Sequence, residues 1–215
     1  MPDFEADRRS DSGRSNTCGA DAGLRKVVVV VAILNLAYFG IEFAVALSIG
    51  SVALFADSID FLEDASVNFL ILIALGWTAV WQARVGMTLA GILLVPTAAT
   101  AWTGWNKFMA PVPPEAFSLS IAGTGALAVN ILCAFLLARY RNQSGSLTRA
   151  AFLSARNDAL ANVAIVAAGI ATAVWRSAWP DLVVGLGIAA MNAGAAREVY
   201  LAARQEHRSA VREVA

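Results

Sequence analysis

The sequence predicts an all-α membrane protein with six transmembrane helices, and both its composition and its segment lengths favour this fold class. Of the 215 residues, 58% are hydrophobic and only 15% are charged, whereas a soluble domain is about 25% charged and about 45–50% apolar. Apolar segments recur along the chain at close to the ~20 residues that a helix needs to cross the hydrocarbon core. The formal net charge of zero argues against a nucleic-acid partner, since nucleic-acid-binding domains are basic.

The apolar segments define a central six-helix transmembrane domain, residues 24–203, with a polar segment at each end. Residues 1–23 are rich in Ser, Asp, Gly and Arg, and we expect a disordered tail there. Residues 204–215 form a second, short polar tail. The six predicted spans are Leu24–Ser48, Ser51–Trp81, Val85–Trp105, Ala116–Tyr140, Leu147–Trp175 and Trp179–Ala203.

Short links separate the predicted spans. Ile49 and Gly50 form a tight link between the first two spans, whereas the three prolines in Asn106–Ala116 require a turn. Residues Arg141–Ser146 form another polar loop. Before the sixth span, Pro180 is followed by Asp181, which is the pattern of a proline-led helix start with an acid in its first turn.

Basic residues indicate how the spans are oriented. An even number of spans places both chain ends on one side of the membrane, and most Lys and Arg residues fall on that side. They are Arg8, Arg9, Arg14, Arg25, Lys26, Arg84, Arg139, Arg141, Arg149, Arg197, Arg204, Arg208 and Arg212. The opposite side has only Lys107 and Arg176. The positive-inside rule therefore predicts a multi-pass protein of the plasma (inner) membrane with both termini in the cytoplasm.

The second span, with the sequence FADSIDFLEDASVNFLILIAL, contains four acids. At the helical rotation of about 100° per residue, Asp57, Asp60, Asp64 and Asn68 share one face, and Glu63 lies off it. Inserting an Asp into a bilayer costs about 2.5–3.5 kcal/mol, so three cost roughly 7–10 kcal/mol. Folding alone does not require such residues, and ionisable groups within a membrane are functional by default.

The fifth span repeats part of this pattern. Ser154, Asp158 and Asn162 fall on one face, with Asn157 at its edge and Arg156 on the opposite side. The segments DASVN in span 2 and DALAN in span 5 share the form D-A-x-x-N. They lie three spans apart and so run in opposite directions, as expected for a binding site between inverted halves.

Other polar residues in the spans have ordinary structural interpretations. Asn35 in span 1 and Asn130 in span 4 could serve as interhelical hydrogen-bonding groups. Glu42 could pair with an Arg, and Asp57 could cap or hydrate the nearby end of span 2. These four residues and Asn68 are secondary polar candidates for the site.

The acids of spans 2 and 5 resist a structural interpretation. Arg156 is the only basic residue within the spans that could neutralise Asp60, Asp64 and Asp158, and it faces away from Asp158. Packed carboxylates repel one another, so a divalent cation or exchangeable protons must compensate their charge. His207, the single histidine, lies in the C-terminal tail. A metal site within the membrane would therefore use oxygen ligands or Cys133.

The segment SVALFADSIDFLED resembles the second transmembrane helix of the cation diffusion facilitator family. Members have a Ser-x-Ala-Leu-x-Ala-Asp-Ser stretch that leads into two ligands four residues apart, and Asp60 and Asp64 match that pair. The fifth helix of the family contributes a second pair, usually His-x-x-x-Asp. Asp158 matches its aspartate, and Ser154 stands in place of its histidine.

This resemblance covers about Leu24–Ala203 and implies a divalent-metal/proton antiporter that exports zinc, cadmium, cobalt, iron or manganese. The segments SARNDALAN, WPDLVVGLG and LNLAYFGIEFAVAL are similar to a short branch of the family, for which neither a cytoplasmic domain after the sixth helix nor a His-rich loop between spans 4 and 5 is expected. The metal ion is expected as substrate, with no tightly bound cofactor, and a homodimer through the spans is expected. The implied all-oxygen metal site consists of Asp60, Asp64 and Asp158, with Ser154, Asn157 and Asn162 as further candidate ligands.

Two rival functions stay open at this point. The acids could serve a proton-coupled carrier of a small organic cation, although their flanks are mostly small or aliphatic apart from Phe61. The chain could also be a non-transporting membrane metal sensor. The sequence contains no nucleophile–base set, no P-loop and no HExxH motif, so an enzyme is not expected. Oxygen-only ligands favour hard ions such as Mn²⁺.

Overall fold

The computed structural model describes residues 3–74, 81, 98–139 and 145–214, and these residues form helices joined by short links. The all-α prediction is therefore confirmed for the described part of the chain. The helices are α1 (Asp3–Ile49), α2 (Val52–Ala74), α3 (described over 98–109), α4 (Ala116–Ala138), α5 (Gly145–Trp175) and α6 (Trp179–Val214).

Three segments of the described helices are long and apolar enough to cross a membrane: Gly23–Ile49, Ala116–Ala138 and Ala155–Trp175. Helix α2 has 23 residues, a sufficient length, but all four of its acids fall in any 18-residue stretch of it, so it is not among these three. The predicted span Val85–Trp105 lies largely outside the described residues. The arrangement of six spans therefore stays a prediction.

The two chain ends differ from the expectation of polar tails. Helix α1 begins at Asp3, so residues 3–22, where we expected disorder, continue the first helix. Helix α6 likewise continues through the predicted C-terminal tail as far as Val214. Once the apolar part of a helix has formed, each added residue gains a hydrogen bond without the cost of a new nucleus. That propagation accounts for the longer helices.

Helix α2 lies at the centre of the bundle. It packs against α1, α4, α5 and α6, and a core cluster joins all five helices through Ala46, Leu54, Leu119, Ile165 and Ile188. The four acids of α2 therefore lie on a helix that has neighbours on several sides.

The first turn of α2 is held by a carboxylate from α6. Asp181 Oδ1 accepts hydrogen bonds from the Ser51 hydroxyl at 2.5 Å and the Ala53 N–H at 3.1 Å, and Oδ2 accepts one from the Val52 N–H at 3.0 Å. Lys107 Nζ of α3 lies 2.7 Å from the same Oδ2. Because the first N–H groups of a helix have no partner within the helix, Asp181 acts as the N-terminal cap of α2. The sequence placed this acid in the first turn of α6 but gave no sign of its role in α2.

Lys107 extends this network to the end of α1. Its Nζ also donates to the Gly50 carbonyl oxygen at 2.6 Å. Gly50 has φ 64°, a left-handed conformation that glycine adopts without steric cost at the end of a helix. The tight link predicted at Ile49 and Gly50 is thus joined to α3 and α6. We name Gly50, Ser51, Lys107 and Asp181 the clamp.

Helix α6 approaches the backbone of α2 directly beside the clamp. A Cβ added at Gly185 would lie 2.6 Å from both the Ala53 nitrogen and the Val52 carbonyl carbon. Backbone atoms cannot move aside as a flexible side chain can, so this position requires glycine. Two residues further along α6, a Cβ at Gly187 would meet nothing within 4 Å.

A different acid caps α4 in solvent. The Glu115 carboxylate accepts hydrogen bonds from the Phe117 N–H at 2.9 Å and the Ser118 N–H at 2.6 Å. The Ser118 side chain, together with these two N–H groups, holds the pKa of Glu115 below its ordinary value. The cap therefore stabilises the fold above the ordinary Glu pKa, and its contribution is lost as the pH falls through the lowered pKa.

We predict that Gly185→Ala lowers the melting temperature of the protein in detergent, since overpacking a close contact costs about 1–3 kcal/mol. Gly40→Ala on α1, where an added Cβ also meets nothing within 4 Å, is the matched control, and it should leave the melting temperature unchanged or slightly raised because Ala favours helix over Gly by about 1 kcal/mol. Circular dichroism of both variants on heating measures the difference. Equal melting temperatures would contradict the close packing of α6 on α2.

We also predict that Lys107→Met destabilises the protein strongly, because it leaves the Asp181 charge buried without its partner, at a cost of about 3–5 kcal/mol. The double variant Lys107→Met/Asp181→Asn should recover part of the loss, since Asn keeps an oxygen that can accept from the first turn of α2 but has no charge. Unfolding of both variants in detergent tests this coupling. If the single and double variants are equally unstable, the ion pair is not the interaction that matters.

Candidate functional site

The polar stripe of α2 faces the neighbouring helices. Asp57 is fully buried, Asn68 is nearly so, and Asp60 and Asp64 are half-buried. Glu63, which the sequence placed off the stripe, is also half-buried. The stripe therefore points its acids towards the interior of the bundle, where a cation could be enclosed by protein.

The acids of α2 and α5 meet across the helix interface. Asp60 interacts electrostatically with Asp158 of α5, and with Asp57 and Asp64 on its own helix. Asp158 is half-buried. Among the residues that the structure describes, however, no three acidic, cysteine or histidine side chains converge closely enough to hold a metal ion by themselves. The carboxylates thus share one charged region without forming a complete coordination shell.

The repeated D-A-x-x-N motif has the same local structure in both helices. Asn68 Nδ2 donates to the Asp64 carbonyl oxygen at 2.7 Å, and Asn162 Nδ2 donates to the Asp158 carbonyl oxygen at 2.9 Å. Each amide is fixed by its own helix, and its oxygen points away from that bond. Both Oδ1 atoms are buried, and no group in the described ranges donates a hydrogen bond to either. The motif therefore presents a fixed amide oxygen one turn from an aspartate.

Helices α1 and α4 add a polar link to the same region. Asn35 Nδ2 lies 3.5 Å from Asp64 Oδ2, and Asn35 Oδ1 accepts from the Cys133 thiol at 3.6 Å. Asn35 and Cys133 are fully buried, and Asn130 is buried on the same helix as Cys133. Asn35 thus bonds between helices, as its ordinary interpretation predicted, and its partner is one of the predicted metal ligands.

Glu42 and Asp57 have environments that the sequence did not predict. Both side chains are fully buried, and Asp57 lies against Glu42 of α1 and Asn162 of α5. By distance and angle none of their four carboxylate oxygens receives a hydrogen bond from a described residue, yet Asp57 lies close enough to both Glu42 and Asn162 for side-chain hydrogen bonding to contribute to its electrostatics. Asp57 does not cap α2, because Asp181 does so, and no ion pair joins Glu42 to a described Arg. Their partnership crosses two helices and has no local sequence pattern.

The two remaining predicted ligands are less central. Asn157 is exposed, and its Oδ1 accepts from the Arg156 guanidinium at 3.4 Å. Ser154 belongs to α5, but its side chain lies outside those that the structure describes. Arg156 is exposed, on the side of α5 that the helical periodicity indicated. Asn162 is therefore the one non-acidic candidate of α5 that is seen inside the bundle.

Comparison with known families adds an independent finding. Residues 28–205 match the family model described as the cation efflux transmembrane domain. The match includes the whole of α2, α4 and α5 and the acids discussed above. A search of curated proteins gave no match.

Proposed function

The chain belongs to the cation efflux family, a family of integral membrane transporters and not of enzymes, and on that premise we propose that it exchanges a divalent metal ion for protons at Asp60, Asp64 and Asp158. One observation supports this site above the others: Asp60 of α2 interacts electrostatically with Asp158 of α5. Two helices thereby contribute charge to one enclosed region.

Competition for the same oxygen atoms supplies the coupling. A metal ion binds carboxylates that have lost their protons, and protons that return to those oxygens release the metal. Three ionised aspartates have a charge of −3, which leaves −1 when a divalent ion is bound. If one aspartate keeps its proton throughout, about two protons exchange for each metal ion. Relative motion of the helices then exposes the site to one side of the membrane at a time.

Amide oxygens are the best candidates to complete the coordination. Asn162 is buried and its oxygen is fixed by the bond from its own amide to the Asp158 carbonyl. Ser154 and Asn157 remain candidates, although Asn157 would have to leave Arg156. A site made only of oxygen atoms favours hard ions such as Mn²⁺ over ions that prefer imidazole or thiolate. Zinc, cadmium, cobalt and iron complete the set of proposed substrates.

The proposed setting is the plasma (inner) membrane, with six spans and both termini in the cytoplasm. The basic residues concentrated on the side of the termini support this orientation. We further propose a homodimer. Gly123 and Gly125 of α4 pack against Ile165 and Tyr38 within the chain, which leaves α4 less suited to a second copy.

Helix α6 is better suited to the dimer contact. Gly187 and Gly194 have open space beside them and, at seven residues apart, lie on one helical face. Small residues on one face allow two membrane helices to approach closely.

We predict that Asp60→Asn reduces metal/proton exchange in proteoliposomes to the background rate, because it removes one charged ligand without changing the size of the side chain. Glu63→Gln, on the same helix but off the stripe, is the matched control and should retain exchange. Uptake of Mn²⁺, Zn²⁺, Cd²⁺ and Co²⁺ with an internal pH indicator measures both ions. If Asp60→Asn exchanges metal ions for protons at the wild-type rate, Asp60 is not a ligand of the transport site.

We expect the apparent metal affinity to fall steeply between about pH 7.5 and pH 6, because protons compete for the carboxylate oxygens. Calorimetry in buffers of different ionisation enthalpy counts the protons released on binding. His207→Gln should show the same pH dependence, since His207 lies far along α6 from the acids in the sequence. Binding without proton release at any pH would require the antiport mechanism to be abandoned.

We predict that the protein in mild detergent has the mass of two chains, and that Gly187→Trp shifts it towards one chain by filling the proposed contact. Light scattering coupled to size exclusion measures the mass of both. Gly40→Trp is a control on α1, where added side-chain atoms near Cβ would also meet open space. A wild-type protein that is monomeric throughout would exclude the dimer.

A further inference from the structure

We propose that Glu42, Asp57 and Asn162 form a second oxygen site for a divalent cation, stacked on the layer that contains Asp60 and Asp158. The proposal rests on the proposed function in that both sites serve the same class of cation. It assigns the Asn162 oxygen to the Asp57 layer in place of the transport site, which leaves Ser154 and Asn157 as the candidates beside Asp60, Asp64 and Asp158. It also gives a role to two buried acids that the exchange mechanism does not use.

The register of two antiparallel helices produces the stacking. Asp60 interacts electrostatically with Asp158, and Asp57, three residues earlier on α2, interacts with the side chain of Asn162, four residues later on α5. Steps of three and four residues both correspond to about one helical turn, or roughly 5 Å along the axis. The two contacts are therefore successive layers of the same helix interface, and Glu42 of α1 adds a second carboxylate to the Asp57 layer.

Burial makes this second layer costly without a cation. Glu42 and Asp57 are both 0% exposed and lie against each other, so both can be ionised only if a cation compensates them, and without one a proton must be shared between them. The nearby Tyr38 hydroxyl cannot relieve them, because its O–H donates to the Ala122 carbonyl oxygen at 2.6 Å. The buried Lys107 is already bound to Asp181 and Gly50.

The donor set suits a divalent cation. Two carboxylates supply a charge of −2, which balances a divalent ion. Asn162 Oδ1 is an independent sign of a ligand, because it is fully buried and receives no hydrogen bond from a described residue, while its amide N–H is bound to the Asp158 carbonyl oxygen. Carboxylate and amide oxygens are the ligands that hard ions such as Mn²⁺ prefer.

The position of the second layer suggests its use in transport. Asp57 lies closer than Asp60 to the clamp, where α2 begins. A cation that leaves Asp60 and Asp158 towards the clamp would meet Glu42 and Asp57 next. Two neighbouring sites let an ion move in short steps, with each site binding well enough to admit the ion and weakly enough to release it.

The test is to count Mn²⁺ bound to the full chain in detergent, with electron paramagnetic resonance measuring the unbound ion. We expect the wild type to bind two ions per chain, with spectral broadening from two nearby spins. Glu42→Gln and Asp57→Asn should each bind one ion and lose the broadening. Asp60→Asn should also retain one ion, and Glu63→Gln, the matched control, should retain two.

Thermal stability separates a lost ligand from a misfolded variant. Glu42→Gln and Asp57→Asn remove buried charges with little change of shape, so in metal-free buffer they should melt at or above the wild-type temperature. The rise in melting temperature on adding Mn²⁺ should be smaller in both than in the wild type.

The outcomes distinguish the second site from the proposed function. A single ion that is lost in Asp60→Asn and retained in Glu42→Gln and Asp57→Asn overturns the second site and leaves the transport site standing. An ion lost in Glu42→Gln but unaffected by Asp60→Asn supports the second site and overturns the transport assignment. A wild-type chain that binds no Mn²⁺ overturns the second site as proposed here, and transport assays with other ions then decide the function separately.

Discussion

The hydrogen bonds from the first turn of α2 to Asp181 fix the rotation and height of the helix that contains Asp57, Asp60 and Asp64. Two backbone N–H groups, a serine hydroxyl and a lysine converge on this carboxylate. Every residue of α2 then has its direction set by the helical period counted from this turn. A different rotation would turn Asp57, Asp60 and Asp64 away from α5, and the charged region between the helices would be lost.

Two kinds of buried carboxylate lie on α2 or against it: Asp181 of α6 beside its first turn, and Asp57 of α2 with Glu42 of α1. Asp181 is saturated with donors, so its charge is compensated permanently and it acts as a structural element. Asp57 and Glu42 are equally buried, but they face each other and Asn162 and have no cationic side chain bound to them among the described residues, so their charge is not compensated in the way that of Asp181 is. The residue type is the same or similar in both places, and the number of donors around it separates a structural role from a binding role.

Sequence patterns predicted the features that arise from local periodicity. The start of α4 at Ala116 follows from the prolines before it, and the start of α6 at Trp179 follows from Pro180 in its first turn. The stripe on α2 follows from the spacing of its acids. Lys107 and Asp181 are 74 residues apart, and Glu42 and Asp57 belong to different helices. Neither pair leaves a periodic or local signal, because each depends on how the helices pack. The long helical ends were missed for a related reason, since polar composition alone does not show whether a neighbouring helix will propagate.

The close contact of Gly185 with Val52 and Ala53 holds the first turn of α2 against α6. Any tilt of α2 would therefore pivot about this turn. A rod pivoting at its first turn moves each point in proportion to its distance from the pivot. With a rise of 1.5 Å per residue, Asp60 lies about 12 Å from Val52 and Ala74 about 33 Å, so a tilt of about 10° displaces them by about 2 Å and about 6 Å. Small adjustments at the acids therefore accompany a much wider opening at the far end of the bundle.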